Sequence, residues 1–180
     1  MTTVRRRGRL RDARGMTLIE LSVVLVILGI LLMIGIATLL RARTSANESA
    51  AINGLRTINT AQFQYNSGCG RGDYAASLVI LGTKPPGNKQ GYLSEDLGAS
   101  DNPVRSGYRF NVQRGVEGTG GFLDCNGTAT ETTYYAVAIP TVLGQTGTRA
   151  FATNQKGSIW QLPGAVPPVE PFGPPAQLVQ

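Results

Sequence analysis

Polar and apolar positions divide the chain into three regimes. From Leu21 to Leu40, twenty residues carry no charge, and only Ser22 and Thr38 are polar. Such a run predicts a helix long enough to cross about 30 Å of hydrocarbon. From Arg41 to Asn66 the chain turns polar, yet Ala51, Leu55, Ile58, Gln62 and Tyr65 recur at spacings of three and four, bordered by Ile52 and Ala61. That is one buried face of a surface helix. Together, residues 16–66 read as one long helix of roughly 77 Å, at 1.5 Å per residue. Gly54 is the one weak point inside its outer half. The segment Asn66-Ser67-Gly68-Cys69-Gly70-Arg71-Gly72 should end it.

Residues 74–82 suit a short helix or a strand, and residues 83–96 a loop. The period then changes to two. Tyr108 to Val112, Tyr135 to Ile139, Thr148 to Thr153 and Ser158 to Leu162 predict an antiparallel sheet with glycines at the turns. Phe151, Ile159, Trp160 and Tyr135 are candidate core residues that pack against the long helix; an aromatic platform for a ligand is the other reading. The tail, residues 164–180, has five prolines in seventeen residues. It should be extended or disordered, not a further strand. The fold class is α+β: a long N-terminal helix packed on a small antiparallel sheet. Residues 67–163 form the globular part.

Charge changes the reading of the N-terminus. The formal net charge is +6. Six arginines (Arg5, Arg6, Arg7, Arg9, Arg11 and Arg14) against Asp12 put +5 of it in the first fifteen residues. No specific nucleic-acid partner is expected from a surplus so confined. A basic flank before an apolar run holds that flank in the cytoplasm and sends the C-terminus across the membrane. Arg41 and Arg43 oppose this but are outnumbered. A secretory signal has a shorter apolar core and a small-x-small end; here the run ends in Leu-Leu-Arg-Ala-Arg. Neither a signal nor a plain anchor explains Glu20, an acid at the edge of the apolar run.

The stretch Gly15-Met16-Thr17-Leu18-Ile19-Glu20, between a basic leader and an apolar helix, resembles the type IV pilin and pseudopilin family. Gly107-Tyr108-Arg109-Phe110 and Ala150-Phe151-Ala152-Thr153 resemble it more weakly. The resemblance implies a pilin-like fold and a cytoplasmic leader, residues 1–15, cut after Gly15 by a prepilin peptidase. Met16 would become the N-methylated first residue and Glu20 the fifth. Met16 stands where phenylalanine is usual, and Ala37 stands where many members have proline in the helix, leaving Gly29 and Gly35 as its small residues. The implied role is a structural subunit of a type IV pilus, in the inner membrane with its C-terminus in the periplasm, then on the cell surface. Self-association into a helical filament would pair the Glu20 carboxylate of one subunit with the Met16 amine of the next. A platform protein, an assembly ATPase and minor pilins are the other implied partners. A pseudopilin of type II secretion is the alternative within the family, and a membrane-anchored periplasmic binding module the alternative outside it.

Chemistry is sparse. The chain has no histidine, which removes Ser-His and Cys-His triads and most zinc sites. Asp73, Asp96, Asp101 and Asp124 lack the dense spacing of a calcium loop, although some pseudopilins bind calcium near the sheet. Gly118-Thr119-Gly120-Gly121 lacks the lysine of a phosphate loop. No catalytic residue, cofactor or metal is expected, and the chain reads as a non-enzyme. Cys69 and Cys125 are the only cysteines, both beyond the membrane and without CxxC spacing. A structural disulfide is expected, worth roughly 4 kcal/mol on a loop-closure model.

Overall fold

The computed structural model describes residues 15–179, without the side chains of residues 34–37. The predicted leader thus lies, apart from Gly15, outside the described residues. Helix α1 runs from Leu18 to Ser67, two residues later in its start than the pattern implied. Contacts divide the chain at Leu39 and Leu40 into two compact units.

The first unit holds the apolar half of α1. An 18-residue window there has a mean hydropathy of 3.1 and none of it is buried. By length and composition it can cross a membrane. Ser22, a polar residue in this stretch, returns its hydroxyl to the Ile19 carbonyl at 2.8 Å, so it brings no unpaired donor into an apolar surrounding.

The second unit is built on the other half of α1. Ala51, Leu55, Ile58, Ala61 and Tyr65 are all buried, at spacings of three and four. Gln62 shares that face and is fully buried. Its amide is satisfied twice by the backbone of Ala75, donating to the carbonyl and accepting from the N–H, both at 2.9 Å. A buried amide paired in this way avoids the desolvation penalty of an orphan. At the end of α1, Gly70 donates to the Tyr65 carbonyl at 2.7 Å. A Cβ at Gly70 would stand 2.4 Å from the Asp73 carbonyl oxygen, so only glycine fits this close turn.

Short elements follow: β1 (Tyr74–Ala75), α2 (Leu78–Gly82), α3 (Glu95–Gly98) and β2 (Val104–Arg105). Then come β3 (Tyr108–Arg114), β4 (Gly120–Leu123), β5 (Ala129–Glu131), β6 (Tyr134–Pro140), β7 (Arg149–Asn154), β8 (Ile159–Pro163) and β9 (Gln177–Leu178). Residues 74–82 are therefore both a strand and a helix. Strands β2-β3-β6-β7-β8-β9 form one antiparallel sheet, in that order, and β1-β5-β4 a smaller one.

Strand alternation decides which residues meet α1. In β6, Tyr134, Ala136 and Ala138 join the α1 cluster with Tyr108, Phe110, Phe151 and Ile159. Tyr135 and Val137 point to the opposite face, with Ala152. This corrects the expected packing of two aromatics. Phe151 and Ile159 do pack with α1, but Tyr135 does not. Trp160, next to Ile159, is only half-buried and stacks on Phe172 with ring centroids 5.8 Å apart. One residue's shift along a strand changes the face.

The tail is a second correction. It is ordered onto the sheet face that α1 leaves open. Tyr135 donates its hydroxyl to the Pro168 carbonyl at 2.6 Å, and Phe172 packs beside Tyr135. Glu170 accepts from the Val116 N–H at 2.9 Å and from the Asn154 side chain at 2.5 Å. Gln177 and Leu178 pair with β8 as a further strand, Trp160 facing Leu178 and Gln161 facing Gln177. Proline forbids ladder donation only where it stands; the prolines end at Pro175, and the residues after them have N–H groups free to pair.

Candidate processing and assembly site

Thr17 and Glu20 are three residues apart at the start of α1, and each caps the other. The Thr17 carbonyl accepts the Leu21 N–H at 3.2 Å, which makes Thr17 the N-cap. Its hydroxyl accepts the Glu20 N–H at 3.3 Å, and Glu20 Oε2 accepts the Thr17 N–H at 3.0 Å. The Thr17 hydroxyl also donates to the same Oε2, at 2.9 Å. This is a capping box, in which two otherwise orphaned N–H groups of the first turn are satisfied reciprocally. A carboxylate there also faces the positive end of the helix dipole. The pattern Thr-x-x-Glu before an apolar run marks this box in the sequence, whereas charge alone marks only the acid.

Gly15 and Met16 precede the helix and are exposed, Met16 at 70%. Leu18 and Ile19 are exposed at 86% and 71%. The segment thus presents three exposed residues outside regular structure, a self-capped turn carrying one carboxylate, and then an exposed, largely apolar helix. Chemically it can offer an open peptide bond at Gly15–Met16 and an acid that accepts hydrogen bonds from Thr17 and has no ion-pair partner among the described residues.

Cys69 and Cys125 are joined by a disulfide. Around it, Cys125 donates its N–H to the Cys69 carbonyl at 3.0 Å. Tyr65 donates its hydroxyl to Asp124 Oδ2 at 2.9 Å. Burial first, and then the Asp124 carboxylate, push the Tyr65 phenol above its ordinary range, so it stays a donor. Asp124 Oδ1 accepts the N–H groups of Asn126 and Thr128 at 2.8 and 2.7 Å. The last turn of α1 is thereby stapled to the β4–β5 connection.

The other aspartates are engaged separately. Asp73 accepts from Phe122 N–H and the Thr130 hydroxyl at 3.1 and 3.0 Å. Asp96 pairs with Arg105 at 3.1 Å, and Asp101 accepts from Val79 N–H at 3.3 Å. Among the described residues, no group of three or more acids or cysteines is placed to hold a metal.

Glu48 lies on the outer half of α1, ahead of the buried face that the spacing predicts from Ala51 to Tyr65, yet is only 5% exposed. Its Oε1 accepts the N–H and hydroxyl of Thr148 at 2.8 and 2.6 Å, and its Oε2 accepts Nε and Nη2 of Arg149, the former at 3.0 Å. Burial disfavours the charged carboxyl, but the bonds from Arg149 and Thr148 prevail and hold it below its ordinary range. No local signal marks this residue, because its partners lie a hundred positions away.

Residues 10–36 match the family model of the prokaryotic N-terminal methylation motif. Comparison with curated proteins and with solved structures gives no match. The helix that begins within the matched residues is long and apolar enough to cross a membrane. The matched residues contain the Gly15–Met16 bond, the Thr17–Glu20 capping box and most of the apolar run, so this chain carries the prepilin-type cleavage and methylation segment of type IV pilins and pseudopilins.

Proposed function

We propose that the chain is a structural subunit of a type IV pilus, cut between Gly15 and Met16, methylated on Met16 and assembled from the inner membrane into a helical filament. The reading rests on one joint observation. A methylation motif over residues 10–36 contains Glu20, an acid close behind the residue whose amine cleavage would free. The new amine is positive, with an ordinary pKa near 8. A carboxylate enclosed among apolar helices needs more than hydrogen bonds; it needs a counter-charge. Thr17 supplies the first, through Oε2. A neighbouring subunit's Met16 amine supplies the second. The rest of the span carries no charge that would oppose close stacking.

In this reading the C-terminal unit lies in the periplasm before assembly and on the cell surface afterwards. A prepilin peptidase, a platform protein, an assembly ATPase and minor pilins are the partners. The proposed disulfide-stapled head suits an exposed position. Intact-mass analysis of the membrane protein tests the processing: residues 1–15 should be absent and Met16 should carry one added methyl. Gene deletion, electron microscopy and a secretion assay test the role. Lost filaments with normal secretion support the pilus. Blocked secretion, with no filaments in the parent strain, would assign the chain to a type II secretion pseudopilin.

A further inference from the structure

The tail closes over the sheet but leaves a cleft beside it, of about 200 Å³. Its walls come from the β3–β4 loop (Glu117), the β5–β6 connection (Thr133), the β7–β8 hairpin (Gln155, Lys156 and Trp160) and the tail (Phe172). The volume is below the 300–1,000 Å³ of sites for drug-sized ligands and corresponds to about one six-membered sugar ring. Trp160 and Phe172 stack with their planes 24° apart, which sets a rigid aromatic wall. Two of the lining residues, Thr133 and Gln155, each carry a buried polar atom, the hydroxyl and the side-chain carbonyl, with no hydrogen-bond partner among the described residues. Native proteins rarely leave such atoms unpaired unless a ligand or water completes them. Both atoms are closed to solvent as they stand, the Thr133 hydroxyl against Gly115 and Gly118, and each sits on a rotatable side-chain end that a ligand would turn toward the cleft.

We propose that this cleft is a binding site for a small carbohydrate, one pyranose ring lying against the Trp160–Phe172 wall with its hydroxyls on Thr133 and Gln155. The mixture of groups favours this class. A sugar hydroxyl both donates and accepts, and the lining offers both kinds, with Lys156 as a donor and Glu117 as an acceptor. A simple anion or ammonium would instead call for one sign of charge. Glu170, the other acid in the lining, already accepts from Val116 and Asn154 and holds the tail in place. The inference concerns the folded head alone and does not depend on filament assembly.

Trp160 is the only tryptophan in the chain, so its emission reports on the cleft without background. The full chain, held in a detergent without a sugar headgroup, is titrated with N-acetyl-D-glucosamine, D-galactose and D-mannose. Tetramethylammonium and acetate serve as charged controls. A saturable Trp160 response to at least one sugar at millimolar concentration is expected, with saturation transfer from protein to that sugar by NMR. Thr133→Val and Gln155→Met keep the side-chain volume and should each weaken binding about tenfold, as loss of a hydrogen bond to a buried site does. Retention of the disulfide and of the circular dichroism spectrum shows that the variants fold. Failure of all three sugars in both assays overturns the proposal and leaves the orphaned atoms to water. A response to tetramethylammonium alone, or equal sugar binding in both variants, overturns it as well.

Discussion

Thr17 and Glu20 hold each other at the entrance to α1, the hydroxyl of one on the N–H of the other and the carboxylate of the second on the N–H of the first. Glu20 thus has a role in the single chain before any neighbour arrives. Two replacements separate that role from assembly. Glu20→Gln retains a side-chain oxygen for the cap but loses the charge. Glu20→Ala loses both. If pairing with a Met16 amine drives assembly, both should insert in the membrane and be cleaved normally, and both should form few filaments. Counting filaments by electron microscopy against peptidase products on immunoblots checks this. Normal filaments from Glu20→Gln would leave capping as the residue's only role.

Removing the disulfide should loosen the far end of the same helix. Cys125→Ser leaves a chain in which Cys69 and position 125 are 56 residues apart and free in the unfolded state. A loss of roughly 4 kcal/mol is expected from the closure entropy. Tyr65–Asp124 would remain and limit the local opening. Denaturant unfolding of the solubilised full chain, oxidised against Cys125→Ser, measures it. Peptide mapping of native protein without reductant should show one peptide pair crosslinked within the subunit.

Gly54→Ala tests two opposed effects at one position. Alanine favours a helix interior by about 1 kcal/mol over glycine. Here, however, a Cβ would stand 2.6 Å from Cε1 and Cζ of Phe110. That ring is fully buried and has no room to retreat, and overpacking of this kind costs about 1–3 kcal/mol. The net effect should be destabilising, by about 1 kcal/mol, seen as a lower denaturation midpoint. A raised midpoint would show that the ring moves freely.

Glu48 should make the head acid-sensitive. Its folded-state pKa lies below the ordinary 4.5. Its contribution is therefore complete above about 4.5 and is lost as the pH falls through the lower folded value. Glu48→Gln should destabilise the protein at neutral pH and flatten the pH dependence of its stability in that acid range. The neutral-pH loss should be about 2 kcal/mol, less than the 3–5 for a fully buried pair because the Arg149 side chain is 39% exposed. Thermal melts of both proteins across the acid range provide the measurement. Parallel profiles would show that other carboxylates govern acid unfolding.

Local pattern carried much of this protein. Periodicity alone marked the buried stripe from Ala51 to Tyr65, because a helix buries every third or fourth residue whatever lies opposite. The glycine cluster after Ser67 marked the helix end, and the period of two marked β3, β6, β7 and β8. The motif around Gly15, Met16 and Glu20 was legible because its parts are adjacent in the chain, and Thr17 was readable for the same reason. What the tertiary structure decided are relations between distant residues. Spacing places Gln62 on the buried face, but only the Ala75 backbone shows how its amide is satisfied there. Glu48 lies ahead of that stripe, and only the fold brings Thr148 and Arg149 to it. Gly54 reads as a weak helix position until the Phe110 ring fills its place. The tail reads as extended or disordered, and not as a strand, from its prolines, yet Tyr135, Trp160 and the free edge of β8 give it a surface to bind. Spacing in sequence determines which side of an element a residue occupies; only the packed fold determines what waits on that side.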